Sequence, residues 1–192
     1  MKLTVTKTLL EGVVLIDTQY VQDERGFFIE TWHQRDYALA GLPMTFVQDN
    51  HSRSSRGVLR GLHYQDERAP LGKLIRCTVG EIFDVAVDLR VGAPTFGQWM
   101  SAELSVANKR QIYVPPGFAH GFQALSEFAD VQYRQTAFYT PEAEHTIAWD
   151  DPDIAVAWPI VPPILSRRDQ QGQTLRDYRE SPAFRVAETT SS

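Results

Sequence analysis

A histidine, a lysine and a tyrosine sit on faces of β-favouring segments that alternation marks for the interior, where polar side chains need a reason to be. In GLHYQ, His63 shares a face with Gly61 and Gln65, while Leu62 and Tyr64 share the other. In KLIRCTV, Lys73 falls with Ile75, Cys77 and Val79, the face whose apolarity calls for burial. In DVQYRQT, Val131, Tyr133 and Gln135 form one face and Asp130, Gln132 and Arg134 the other, which turns Tyr133 inward. A base, a cation and a phenolic acid in one cavity can remove a proton next to a carbonyl, stabilise the enolate and return a proton. Taken singly, an inward His or Tyr is more often a hydrogen-bonded core residue, and a lysine at a barrel rim can snorkel to water.

The segment VPPGFAHGF puts His120 just past a Pro-Pro-Gly turn. The spacing of Pro115, Gly117 and His120 matches the second half of the metal-binding cupin signature. The first half is missing, because the residue two beyond His63 is Gln65 and not a second histidine. Zinc and iron sites usually need three good protein ligands, so the expectation is a pocket without metal. Ser166-x-x-Asp169 has the spacing of a helix capping box.

The elements that must position these residues are mainly β. Candidate strands run over 12–17, 58–65, 73–79, 82–89, 99–106, 111–114, 121–125 and 130–138, with a hairpin turn expected at Gly80-Glu81. Two stretches read as helical, Glu30 to Leu42 closed by Gly41, and a second starting at Ser166. Many short strands with Gly and Pro turns predict a sandwich or barrel, and the expected architecture is a double-sheet jelly roll, a cupin-like barrel with a few short peripheral helices. At 192 residues the chain reads as a single domain over 1–182 with a frayed tail over 183–192.

Composition narrows the partners. The balance of 19 Lys+Arg against 24 Asp+Glu has the wrong sign for coating a phosphate backbone, so nucleic acid is not expected as the ligand. A few cations converging in one pocket can still hold a small phosphorylated molecule. The single cysteine, Cys77, excludes an intrachain disulfide and suits a reducing compartment. The N-terminal apolar run is broken by Glu11 and Gly12, and no run of about 18 apolar residues occurs, so neither a signal peptide nor a membrane helix is expected and the location reads as cytoplasmic.

Longer motifs carry a resemblance over almost the whole chain: DERGFF with Glu30 shortly after, FVQDNHS, VLRGLHYQ, GKLIR, GEIFDVAVDLR, PTFGQW, LSVANKRQIYVPPGFAHGF, the Tyr133 strand, IAWDDP and LSRRD. The sequence resembles the dTDP-4-dehydrorhamnose 3,5-epimerases, cofactor-free enzymes with a cupin-like jelly roll. The resemblance implies His63 as the base that removes protons alpha to the C4 ketone and Asp169 as the carboxylate that orients it, alongside the capping role. It implies Tyr133 as the acid on the opposite face of the ring and Lys73 beside the C4 oxygen. His120 is implied to bond the sugar, held by Asp84.

By the same resemblance the nucleotide end is held by Arg25, Glu30, Gln48, Asn50 and Arg60, with Glu144 and Arg168 closing the pocket and Phe27, Phe28 and Tyr139 available to stack on thymine. Arg168 stands where relatives often carry lysine. The implied reaction turns dTDP-4-dehydro-6-deoxy-D-glucose into dTDP-4-dehydro-L-rhamnose by inverting C3 and C5, for dTDP-L-rhamnose supply. No NAD is implied, since the ketone is already present and no Gly-rich dinucleotide fingerprint occurs. The implied assembly is a homodimer with exchanged strands, its N-terminal segment reaching the neighbouring site. The alternatives are a mono-epimerase of a related deoxysugar, and a binding-only or metal-dependent cupin.

Overall fold

The computed structural model describes residues 2–42 and 45–186. Thirteen strands occur among them: β1 (Leu3–Lys7), β2 (Val14–Thr18), β3 (Tyr20–Asp23), β4 (Gly26–Ile29), β5 (Gln48–Ser55), β6 (Leu59–Gln65), β7 (Lys73–Val79), β8 (Glu81–Asp88), β9 (Trp99–Ser105), β10 (Gln111–Val114), β11 (Phe118–Ala124), β12 (Phe128–Gln135) and β13 (Glu144–Thr146). One antiparallel sheet has the order β1-β2-β10-β7-β12-β5 and faces a second of order β13-β6-β11-β8-β9, while β3 and β4 form a separate hairpin. This is the cupin-like jelly roll.

Alternation builds three layers. Ile75 and Cys77 of β7, Val131 of β12, Ile82 and Ala86 of β8 and Phe122 of β11 meet between the sheets. Leu62 and Tyr64 of β6 turn the other way, onto the outer face of the second sheet, where Ile147, Ile154, Trp158, Leu175 and Tyr178 of the C-terminal segment cover them. That cover is stitched on by Leu59 N–H to the Ile164 carbonyl (3.0 Å), Gln123 Nε2 to the Ile160 carbonyl (2.8 Å) and Tyr178 Oη to the Leu89 carbonyl (2.8 Å). On the first sheet's outer face, Tyr37 packs with Val14, Ile16, Leu74 and Tyr113.

Several sequence expectations are corrected. Gly80-Glu81 joins no hairpin, because β7 and β8 lie in different sheets. Gly80 (φ +73°) turns the chain from one wall to the other against Phe128, where an added Cβ would lie 2.1 Å from the Phe128 carbonyl oxygen. The helix expected over 30–42 is only α1 (Gln34–Leu39), capped by His33. The helix expected from Ser166 is a 3₁₀ turn at Asp169–Gln171, followed by α2 (Leu175–Glu180), whose capping box is Thr174 with Asp177. The tail expected to fray is held over its first residues: Phe184 packs on the cover, and Val186 N–H donates to the Val91 carbonyl at 2.9 Å. Residues 187–192 lie outside the described residues.

Candidate active site

Between the sheets a cavity of about 380 Å³ opens, a size suited to a small ligand. His63 and His120 are cross-strand partners on β6 and β11. Their strands close up through Gly61 and Gly121: a Cβ on Gly61 would sit 2.6 Å from the Gly121 Cα. Only a glycine pair permits that approach. Lys73 and Tyr133 come from β7 and β12 of the facing sheet, so the alternation argument holds for all three chemical residues.

His63 Nε2 lies 2.5 Å from Asp169 Oδ1. Asp169 also accepts from Ser166 Oγ (2.7 Å), which in turn takes the Asp169 N–H (3.2 Å). Ser166 and Asp169 therefore close on one another without capping a helix, since the turn's cap position is Arg168 and makes no side-chain cap bond, while the other carboxylate oxygen meets the imidazole. Burial alone would push the Asp169 carboxyl up, but the hydrogen bonds from His63 and Ser166 outweigh it and hold it below the ordinary range. With Nε2–H donating to the carboxylate, Nδ1 is left as the basic nitrogen. Burial lowers the His63 pKa, with Lys73 and Arg168 adding to the fall and Asp169 opposing it.

Arg168 is a second neighbour of the imidazole. Its Nη2 is 3.2 Å from His63 Nε2 and its Nη1 bonds Glu144 Oε2, which also accepts from Tyr139 Oη at 2.7 Å. Since Nε2 already donates to Asp169, the guanidinium meets it donor to donor, a cation held against the imidazole.

Burial drops Lys73 to about 8, against the opposing pull of Glu144 and Asp84, and it raises Tyr133. At the cavity wall His120 Nε2 sits 2.9 and 3.1 Å from the two oxygens of the fully buried Asp84. Among the described residues no three His, Cys, Asp or Glu side chains gather as metal ligands.

Gln48, Asn50, Arg60, Tyr139, Glu144 and Arg168 line the same cavity as His63, Lys73, His120, Tyr133 and Asp169. Arg25, Phe28 and Glu30 do not. Their segment is the β3–β4 hairpin, where Arg25 pairs with Asp23 at 2.5 Å and Phe28 is 69% exposed. Sequence reasoning missed Ser52 and Leu71 as wall residues, although Ser52 continues the Gln48 and Asn50 alternation on β5; Gln135, on the inward face with Tyr133, lines the cavity as well.

Fold and cavity define an enzyme of the cupin-like jelly-roll class, with acid–base side chains on facing walls. The family model for dTDP-4-dehydrorhamnose 3,5-epimerase matches residues 7–177. The chain belongs to that family. It is 53% identical over 174 residues to the dTDP-4-dehydrorhamnose 3,5-epimerase of Pseudomonas aeruginosa, covering 90% of this chain and 96% of that one. The dTDP-6-deoxy-D-glucose-3,5-epimerase of Legionella pneumophila, solved with dTDP-4-keto-L-rhamnose, superposes with a TM-score of 0.91 at 44% identity over 96% of this chain and 99% of that one. A dTDP-4-dehydrorhamnose 3-epimerase of Streptomyces niveus is 39% identical, covering 90% of this chain and 84% of that one.

Proposed function

We propose that the protein inverts C3 and C5 of dTDP-4-dehydro-6-deoxy-D-glucose, giving dTDP-4-dehydro-L-rhamnose for dTDP-L-rhamnose synthesis. One observation carries this reading: His63 backed by Asp169 stands on one sheet and Tyr133 on the facing one, with Lys73 beside it. A sugar ring between those walls has its two faces towards a base and an acid. His63 Nδ1 removes the proton alpha to the C4 ketone, the electron pair moves onto O4 as an enolate beside the Lys73 ammonium, and Tyr133 delivers a proton to the other face. The same cycle serves the carbon on each side of the ketone. Arg60 and Arg168 suit the diphosphate because guanidinium is planar and always charged, and Tyr139 offers its ring to the thymine.

The test is incubation with that sugar nucleotide in D2O, reading deuterium by NMR. Label at C3 and C5 together is the expected result. Label at C3 alone would replace this reading with the 3-epimerase activity carried by the name of the Streptomyces relative.

Arg168→Gln removes a cation from the imidazole, so His63 holds its proton more tightly. The base works neutral, and the acid limb of kcat/KM therefore moves up by about half a pH unit. An unmoved limb would separate Arg168 from the base.

The reading includes a homodimer in which Arg25, Phe28 and Glu30 serve the neighbouring cavity. Its support is the β3–β4 hairpin, with Val21, Phe27 and Phe28 exposed and none of them lining its own site. Arg25→Ala and His63→Ala proteins, each impaired alone, should regain activity when refolded together, since one cavity of the hybrid then carries both native residues. No recovery would place Arg25 in its own subunit's work. A cytoplasmic setting fits the same reading, with Cys77 free and buried.

A further inference from the structure

Three glutamines line the cavity, and two are fully committed. Gln48 donates to Asn50 Oδ1 (3.1 Å) and accepts the Tyr139 N–H (3.0 Å). Gln65 donates to the Ala69 and Phe138 carbonyls (2.8 and 3.2 Å) and accepts the Thr140 N–H (2.7 Å). Both amides fix the loop over the cavity mouth. Gln135 is different. It ends β12 on the inward face of Val131 and Tyr133, is 4% exposed, and its Oε1 is buried without a hydrogen-bond partner. Only three other side-chain atoms among the described residues share that condition, and of the four only Gln135 Oε1 and Ser52 Oγ belong to cavity-lining residues.

An unmet buried amide costs about 1–3 kcal/mol, and Leu or Met would fill the same volume without that cost. The position of Gln135 says what meets it. It is the direct cross-strand partner of Lys73, which places the two side-chain roots roughly 5 Å apart on one face. A ketone oxygen held by Lys73 has two neighbouring carbons. In a 4-keto-6-deoxyhexose one of them, C5, bears a methyl group, and the other, C3, bears a hydroxyl. The hydroxyl can give or take a hydrogen bond, and a half-turn of the planar amide offers it either end.

We propose that Gln135 is a specificity residue whose amide hydrogen-bonds the ligand hydroxyl next to the ketone, so that the site selects sugars hydroxylated at C3 over their 3-deoxy analogues. This rests on the proposed epimerase reading for the placement of the ketone at Lys73.

The test compares dTDP-4-dehydro-6-deoxy-D-glucose with its 3-deoxy analogue, reading deuterium entry at C5, which both sugars share. The parent enzyme should favour the hydroxylated sugar by about 10–100-fold in kcat/KM, the worth of one such bond. Gln135→Leu should lose that factor on the hydroxylated sugar alone, so that the preference collapses. Gln135→Met is the second variant, used with a Tm check should the first fold poorly. Kd values for both sugars in the His63→Ala protein repeat the comparison without turnover. The epimerase reading can then fail through absent exchange while the Kd ratio still decides the role of Gln135. Equal losses on both sugars, no loss on either, or a shifted alkaline limb in Gln135→Leu would overturn the proposal, the last by showing that the amide acts through Lys73.

Discussion

His63→Ala is expected to lower deuterium entry at C3 and at C5 together by about 10²–10⁴, the range typical of a positioned general base, with Tm little changed. Its fall is tied to one residue because His63 is 14% exposed at the cavity wall and its ring bonds only Asp169, besides the cation contact from Arg168. Asp169 keeps its second partner, Ser166, when the imidazole is gone, so the 3₁₀ turn that carries it survives. A loss at one carbon only would mean two bases, one for each centre. An unchanged rate would remove the histidine from the chemistry.

Lys73→Met carries the second large effect, a fall of about 10²–10³ in kcat, because a charge preorganised at a developing oxyanion is among the strongest terms a site can supply. The enolate needs the ammonium, and burial brings Lys73 to about 8, so the parent enzyme should lose rate above that pH. The methionine variant should show no such limb. Stability should move the other way. The folded state holds the Lys73 proton less tightly than the unfolded chain does, so the charged side chain disfavours folding fully below pH 8, and that cost fades as pH rises towards the ordinary lysine value of 10.5. Lys73→Met therefore raises Tm at neutral pH while lowering the rate. A falling Tm would make Lys73 a structural residue.

The chemical residues were legible because strand alternation is strict. Lys73 and Tyr133 could each be assigned an inward face from the apolar company they keep, and each faces the cavity, whereas His63 shares its face with Gly61 and Gln65 and was singled out by its chemistry. β5 escaped notice because QDNHSRSS is polar throughout: it is the sheet's edge strand, and its inward residues line the polar cavity instead of an apolar core. β3 and β4 were absent from the expected strands, since a four-residue strand on an exposed hairpin carries almost no burial pattern. Gly80 misled for another reason. A turn glycine fits a hairpin and a corner equally, and the choice depends on pairing partners distant in sequence. Gln135 was placed on its face, but an unmet hydrogen bond is a property of three dimensions and has no sequence pattern.

The cover on the outer face of the second sheet has one further consequence. It follows the last barrel strand in the chain, and Asp169 belongs to it, while His63, Lys73 and Tyr133 belong to strands made earlier. During synthesis the strands that carry His63, Lys73 and Tyr133 therefore leave the ribosome before the carboxylate that meets the imidazole does. A chain cut short after residue 146 would lack the carboxylate that meets His63 and would leave Leu59, Leu62 and Tyr64 uncovered on the outer face of the second sheet, so the segment that completes the reactive pair also completes the burial of that sheet.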